Sequence, residues 1–374
     1  MLVLNNQTQG FLDSVYVRSH SKDSVKSYSN GLRKFEVFLG SKYDCKLETI
    51  SSQINDKKID VYELLRDFVI DQDKQDYNPT TIEVAVNAVK GYLRYCGIRI
   101  YSEDYKQVVK MPKKIKTHED PITKELLVRL LQNVSPKLQT IILVATSSGM
   151  RIGELVQITI SDIDFESNPT KIKIRAETTK TKESRETFLT QEATKSLKGY
   201  LKKYFGWEEG RPNNHISNTM IFGRTSFSNT KIRDDTKFKS HVVSAAKSLL
   251  QVTLENSLKK TPDLNIRNED GRFVIHFHGF RKFFRTTVGN AVGRDYAEAL
   301  IGHSFYMDTY YNLPPDKKLE MYLDAEPFLT ISDFQTVEKK ITNLSSEYGQ
   351  LKKEFDDLKQ YLITNSIPVP SPAN

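Results

Sequence analysis

Between Lys110 and Pro121 the chain carries four lysines and two prolines with no helical period, and this interruption limits what the rest can fold into. Proline supplies no backbone N–H and biases the residue before it away from the helix, so a single packed element does not run through the stretch. A chain of 374 residues also exceeds what one core usually organises. The expected layout is a helical unit over residues 1–109, a basic linker over 110–121 and a larger unit over 122–331. A separate helix over 332–364 and a disordered tail over 365–374 follow.

In the first unit, Val25, Tyr28, Leu32, Phe35 and Leu39 recur at spacings of three and four, which predicts a helix buried on one face. A second helix is predicted from Pro79 to Tyr95, with Ile82, Val84, Val86, Val89, Tyr92 and Leu93 apolar, and a shorter one over Val61–Ile70. This is an all-α bundle. From Thr123 the pattern becomes α+β and mainly helical. Helices are predicted over Lys124–Leu131, Lys137–Ser147, Ile152–Gln157 and Gln191–Tyr204. Lys171–Thr179 and Arg185–Thr190 read as two strands of a small antiparallel sheet with lysines at the connecting tip. Residues 206–234 read as a loop with a short strand near Met220, and Trp207 as a packing residue.

The tail has its own period. Val337, Ile341, Leu344, Tyr348, Leu351, Phe355, Leu358 and Leu362 alternate spacings of four and three, the seam of a coiled coil. Self-association is the favoured reading, with an amphipathic helix folded back on its own domain as the alternative.

The net charge of +8 favours a polyanionic partner. Cys45 and Cys96 are the only cysteines, too few for a disulfide framework or a cysteine-rich zinc site, and read as core residues. No stretch is apolar and long enough to span a bilayer, so a cytoplasmic location without membrane attachment is expected.

Against that background Arg151, Lys180, His278, Arg281, His303 and the adjacent Tyr310 and Tyr311 form an ordered set. Arginines clamp phosphate oxygens, histidines exchange protons near neutral pH, and a phenol oxygen can attack phosphorus without a metal. The set points to phosphodiester chemistry with no cofactor. The pair His276 and His278 has no acidic or cysteine partner nearby in sequence, so no metal site is expected, and no phosphate-cradling glycine loop implies ATP.

The segment from Ser148 through Gly149, Arg151 and Glu154 to Asp164 resembles the first box of the tyrosine recombinase (phage integrase) family. His278 to Thr287 resembles the second box, and Leu300 to Ser304 followed by a tyrosine the third. The resemblance covers roughly residues 10–330 and implies a helical core-binding domain ahead of a catalytic domain. It assigns Arg151 and Arg281 to the nonbridging phosphate oxygens, with ion pairing to Glu154 or Asp162 as the structural alternative for an isolated arginine. His278 would exchange a proton and His303 would donate a hydrogen bond to the phosphate. The general acid would be Lys180, with Lys182 as the other candidate.

Tyr311 is taken as nucleophile and Tyr310 as packing. Common cellular recombinases place the tyrosine nine residues after the histidine, but here that position is Asn312 and Tyr311 stands at plus eight. That spacing looks most like integrases of archaeal viruses and plasmids, and it leaves open whether cleavage is in cis or in trans. The resemblance thus implies recombination of double-stranded DNA attachment sites through a 3′-phosphotyrosyl link and a Holliday junction, with a homo-tetramer on the DNA. Relaxation of supercoils in the manner of a type IB topoisomerase, and DNA binding without catalysis, are the rival readings.

Overall fold

A computed structural model of the chain describes residues 6–114, 120–210, 218–223, 236–269, 271–303, 313–331 and 346–360. The chain divides into two compact units, Met1–Lys116 and Thr117–Asn374, each with its own apolar core. No described helix is long and apolar enough to cross a membrane.

The first unit is built from α1 (Asn6–Ser19), α2 (Lys22–Lys42), α3 (Ile50–Asn55), α4 (Val61–Lys74), α5 (Pro79–Tyr95) and α6 (Ser102–Val108). Side-chain caps fix three of the starts. Ser21, Asp60 and Asn78 each accept backbone N–H groups of the first turn, and Pro79 occupies a position whose N–H has no partner inside the helix. Leu32, Phe35 and Leu39 of α2 are buried with Phe68 of α4 and with Ile82, Val86, Val89 and Leu93 of α5. Phe35 and Phe68 meet edge to face with centroids 5.2 Å apart. Val84 departs from the expected face and is 39% exposed, because the buried stripe runs through Ile82, Ala85, Val86 and Val89 instead.

The second unit is organised around α8 (Pro136–Ser148), which buries Leu138, Ile141, Ile142, Val144 and Ala145. A helix apolar on most sides has to be enclosed by its neighbours. Packed on it are α10 (Gln191–Phe205), α12 (Phe277–Val292) and α14 (Pro315–Leu329), with α7 (Lys124–Gln132), the four-residue α9 (Ile152–Leu155), α11 (Thr236–Lys260) and α13 (Arg294–Ile301) completing the set. Tyr322 of α14 is fully buried and donates its hydroxyl to the Ser147 carbonyl at 2.6 Å, which ties α14 to the end of α8.

The sheet contains β1 (Ile163–Asp164), β2 (Thr170–Ile174) and β3 (Arg185–Leu189) in that order, all antiparallel. Ile172 of β2 pairs with Ile163 on one side and Thr187 on the other. β1 was not expected, and β2 ends well short of the expected Thr179. After Ile174 the chain turns into a short 3₁₀ segment, where Thr178 Oγ1 donates to the Arg175 carbonyl at 2.8 Å and Thr179 Oγ1 to the Ala176 carbonyl at 2.9 Å. These local side-chain bonds compete with a ladder. Likewise the helix expected to reach Gln157 stops at Leu155, and the strand expected near Met220 is a single bridge to Thr159. Trp207 packs on Phe165 with centroids 4.9 Å apart, as a core residue does. Residues 346–360 are helical and exposed throughout, whereas Val337, Ile341, Leu344 and Leu362 of the heptad lie outside the described residues.

Candidate active site

Gly149 ends α8 in the left-handed region, with φ 63°. A Cβ there would lie 2.3 Å from Phe284 Cδ1 and 2.9 Å from Ile301 Cγ2, so glycine lets this turn press against α12 and α13. Two residues on, Arg151 caps the start of α9. The buried Glu154 carboxylate accepts its backbone N–H at 2.8 Å and its Nη1 at 3.0 Å. The ion pair with Glu154 weighed from the sequence is therefore present, while Asp162 pairs with Arg175 at 3.0 Å. Arg151 still keeps 27% of its side chain exposed.

Glu154 is shared. Arg185, at the start of β3, donates Nη1 to Glu154 Oε1 at 3.1 Å, Nη2 to Oε2 at 2.6 Å and Nε to the Leu300 carbonyl at 2.9 Å. Burial pushes the Glu154 carboxyl up, but the hydrogen bond and charge of Arg185, helped by Arg151, outweigh it and hold the group below the usual carboxylate range.

Arg281, on α12, is only 3% exposed. It donates Nη1 to the Gly149 carbonyl at 2.8 Å and Nη2 to the Ile301 carbonyl at 2.7 Å, bridging the turn after α8 to the end of α13. Burial first, and then the charge of Arg151, push its pKa down to about 9, with Glu154 opposing and Arg185 adding. It remains protonated at neutral pH. Arg151, Arg185 and Arg281 thus crowd around one buried carboxylate, and the surplus positive charge suits an anion that gains charge in a transition state.

His303 follows α13 past Gly302, whose φ of 67° ends the helix. A Cβ on Gly302 would sit 2.8 Å from Arg185 Cδ, so this turn rests on the arginine that holds Glu154. The His303 ring places Nδ1 2.7 Å from Oε2 of the buried Glu298. His278 is one turn before Arg281 on α12 but is exposed, whereas the arginine is buried. His278 and Lys282 line a cavity of about 1090 Å³, and the His276 and His278 rings are 6.4 Å apart.

Lys180 and Lys182 are both exposed on the connection between β2 and β3, and Lys182 has a left-handed backbone with φ 63°. Tyr310 and Tyr311 lie outside the described residues. Sequence reasoning missed Arg185, Glu298 and its partner Arg285. A signal for Glu298 was available: it interrupts the buried run Tyr296, Ala297, Leu300 and Ile301, where an ionised group needs a partner.

The sequence model of the phage integrase family matches residues 99–311. No curated protein matches the chain. Among solved structures, a lambda integrase dimer bound to a COC′ core site aligns with a TM-score of 0.54 at 13% identity, over 82% of this chain and 98% of that one. The XerH site-specific recombinase bound to its difH substrate aligns with a TM-score of 0.50 at 16% identity, over 79% and 77%. At such identities the likeness is one of fold.

Proposed function

The chain belongs to the phage integrase family and is a site-specific tyrosine recombinase; we propose that it cleaves and rejoins two DNA duplexes through 3′-phosphotyrosyl links and a Holliday junction. The observation that carries the proposal is the convergence of Arg151 and Arg281 beside a single buried carboxylate, with His303 two residues beyond the Ile301 carbonyl that Arg281 grips. Arg151, the more exposed arginine, holds a nonbridging oxygen of the scissile phosphate. Arg281 adds charge from behind and locks the turn that presents Arg151. His303 donates to the phosphate, and His278 exchanges a proton with the phosphate or the nucleophile. Lys180 protonates the leaving 5′ oxygen, and Tyr311 attacks phosphorus.

The finer assignments are part of the same proposal. The first unit acts as the core-binding domain and clasps DNA with the catalytic unit, four protomers assemble on paired attachment sites, and the element served is an archaeal virus or plasmid, acting in the cytoplasm. Tyr348, Leu351, Phe355 and Leu358 support self-association of the tail, since each is at least 55% exposed on the helix over 346–360. The test begins with a duplex selected by the protein from random-sequence DNA and nicked next to the cleavage point. Wild-type protein forms a covalent adduct that survives denaturation, and Tyr311→Phe does not. An undiminished adduct from Tyr311→Phe overturns the nucleophile assignment, and loss with Tyr310→Phe in its place moves it one residue.

A further inference from the structure

Glu298 is a buried carboxylate that the reaction proposed above leaves without a task. It is 3% exposed, yet its partners face solvent: the side chains of Arg285 and His303 are 36% and 45% exposed. Exposed cations gain little from an ion pair, and burying a carboxylate is costly, so serving those cations does not account for its position. Its two oxygens have separate duties. Oε1 takes Nε and Nη2 of Arg285, with Arg294 Nε at 3.9 Å, and Oε2 is left to Nδ1 of His303 at 2.7 Å.

Glu298 also holds His303 through the backbone. Gly302 ends α13 in the left-handed conformation, and the next N–H, that of His303, reaches back to the Glu298 carbonyl at 3.2 Å. This helix-ending geometry brings a residue just past the cap against one in the last turn, a contact that is commonly apolar. Here it is an ion with an imidazole. One residue therefore fixes both the main chain and the ring of His303.

We propose that Glu298 is a positioning residue for phosphodiester cleavage: it fixes a proton on Nδ1 of His303 and turns the Nε2 edge toward the scissile phosphate. An ionised carboxylate only accepts hydrogen bonds, so the ring nitrogen facing it carries hydrogen. The second nitrogen of an imidazole is set by the bond the first one makes. With Nδ1–H held on Glu298, it is the doubly protonated ring whose Nε2–H donates to the phosphate. Arg285 keeps Glu298 anionic: burial raises its carboxyl pKa, and the bonds from Arg285 and His303 more than reverse that. The inference rests on His303 serving the phosphate, as proposed above.

The test uses the full-length chain on the nicked, selected duplex, with Glu298→Met and Glu298→Gln in wild-type and His303→Ala backgrounds. Methionine removes the acceptor, whereas glutamine retains one. Glu298→Met is expected to slow adduct formation by on the order of tenfold or more with unchanged DNA affinity, and Glu298→Gln to recover most of the rate. In the His303→Ala background neither substitution slows the reaction further, because the effect passes through that ring. Spectra of ¹⁵N-histidine-labelled protein show the His303 proton on Nδ1 in the wild type and on Nε2 in Glu298→Met. Where the methionine variant fails to fold, the glutamine cycle and the wild-type spectrum decide. A Glu298→Met protein that cleaves like wild type, an equal slowing in both backgrounds, or a wild-type ring protonated only on Nε2 overturns the inference. If His303→Ala itself cleaves at the wild-type rate, the role given to His303 fails, and the inference falls with it.

Discussion

Replacing Glu154 by leucine strips the arginine cluster of its counter-charge. Four bonds end on that carboxylate, from the Arg151 N–H and Nη1 and from Nη1 and Nη2 of Arg185. The Arg185 side chain is 9% exposed, so its orphaned guanidinium has little water to turn to. Breaking a buried pair by removing one member costs about 3–5 kcal/mol. Arg151, more exposed, adds little to this figure. With a urea slope of about 3 kcal/mol per M, the unfolding midpoint falls by about 1–1.7 M. The assay reads one unit alone, because Trp207, the only tryptophan, is buried in the core of the second unit. Acid adds an independent signature. The folded Glu154 pKa lies below its ordinary value of 4.5, so the stabilisation is complete above that pH and is lost as pH falls through the folded value. Between pH 5 and 8 this group contributes no slope, and the acid-side decline is shallower in Glu154→Leu. A midpoint shift under about 0.3 M, or an unchanged acid limb, refutes the view that the cluster is held by this charge.

Gly149→Ala forces a Cβ to within 2.3 Å of Phe284 in a left-handed turn, and is expected to cost about 2–4 kcal/mol, seen as a lowered unfolding midpoint by Trp207 fluorescence. Lys180→Ala should slow cleavage by about 100-fold or more and Lys182→Ala by much less, while a substrate with sulfur as the leaving atom restores Lys180→Ala, since a thiolate departs without a proton. Leu351→Glu combined with Leu358→Glu should lower the sedimentation coefficient of concentrated protein without moving the Trp207 transition. An unchanged sedimentation coefficient counts against tail self-association.

What could be read in advance follows the range of the forces involved. Asn78 and Pro79 announce the start of α5 because capping acts within one turn. Val84 misleads because an apolar residue beside a stripe looks the same in sequence as one on it. The long helix α11 was not predicted, because the exposed Leu249 and Val252 blur its stripe of Val242, Ala246, Leu250, Leu254 and Leu258. β1 is two residues long and exists only through its register with β2, a non-local fact. The ordered boxes placed Arg151, Arg281 and His303 in one neighbourhood. Arg185 was invisible because the carboxylate that explains it stands 31 positions earlier on another element.

In the role proposed for it, Arg281 is both reagent and rivet, because it grips the Gly149 and Ile301 carbonyls. Any substitution there loosens two loops as well as removing a charge, so a dead Arg281 variant conflates assembly with chemistry. A lysine, with a single nitrogen, cannot reproduce a two-pronged bridge. Protein meant to bind attachment sites and stall before cleavage is better made at Arg151, where the guanidinium is tethered by one nitrogen and Glu154 keeps its bonds from the backbone N–H of residue 151 and from Arg185.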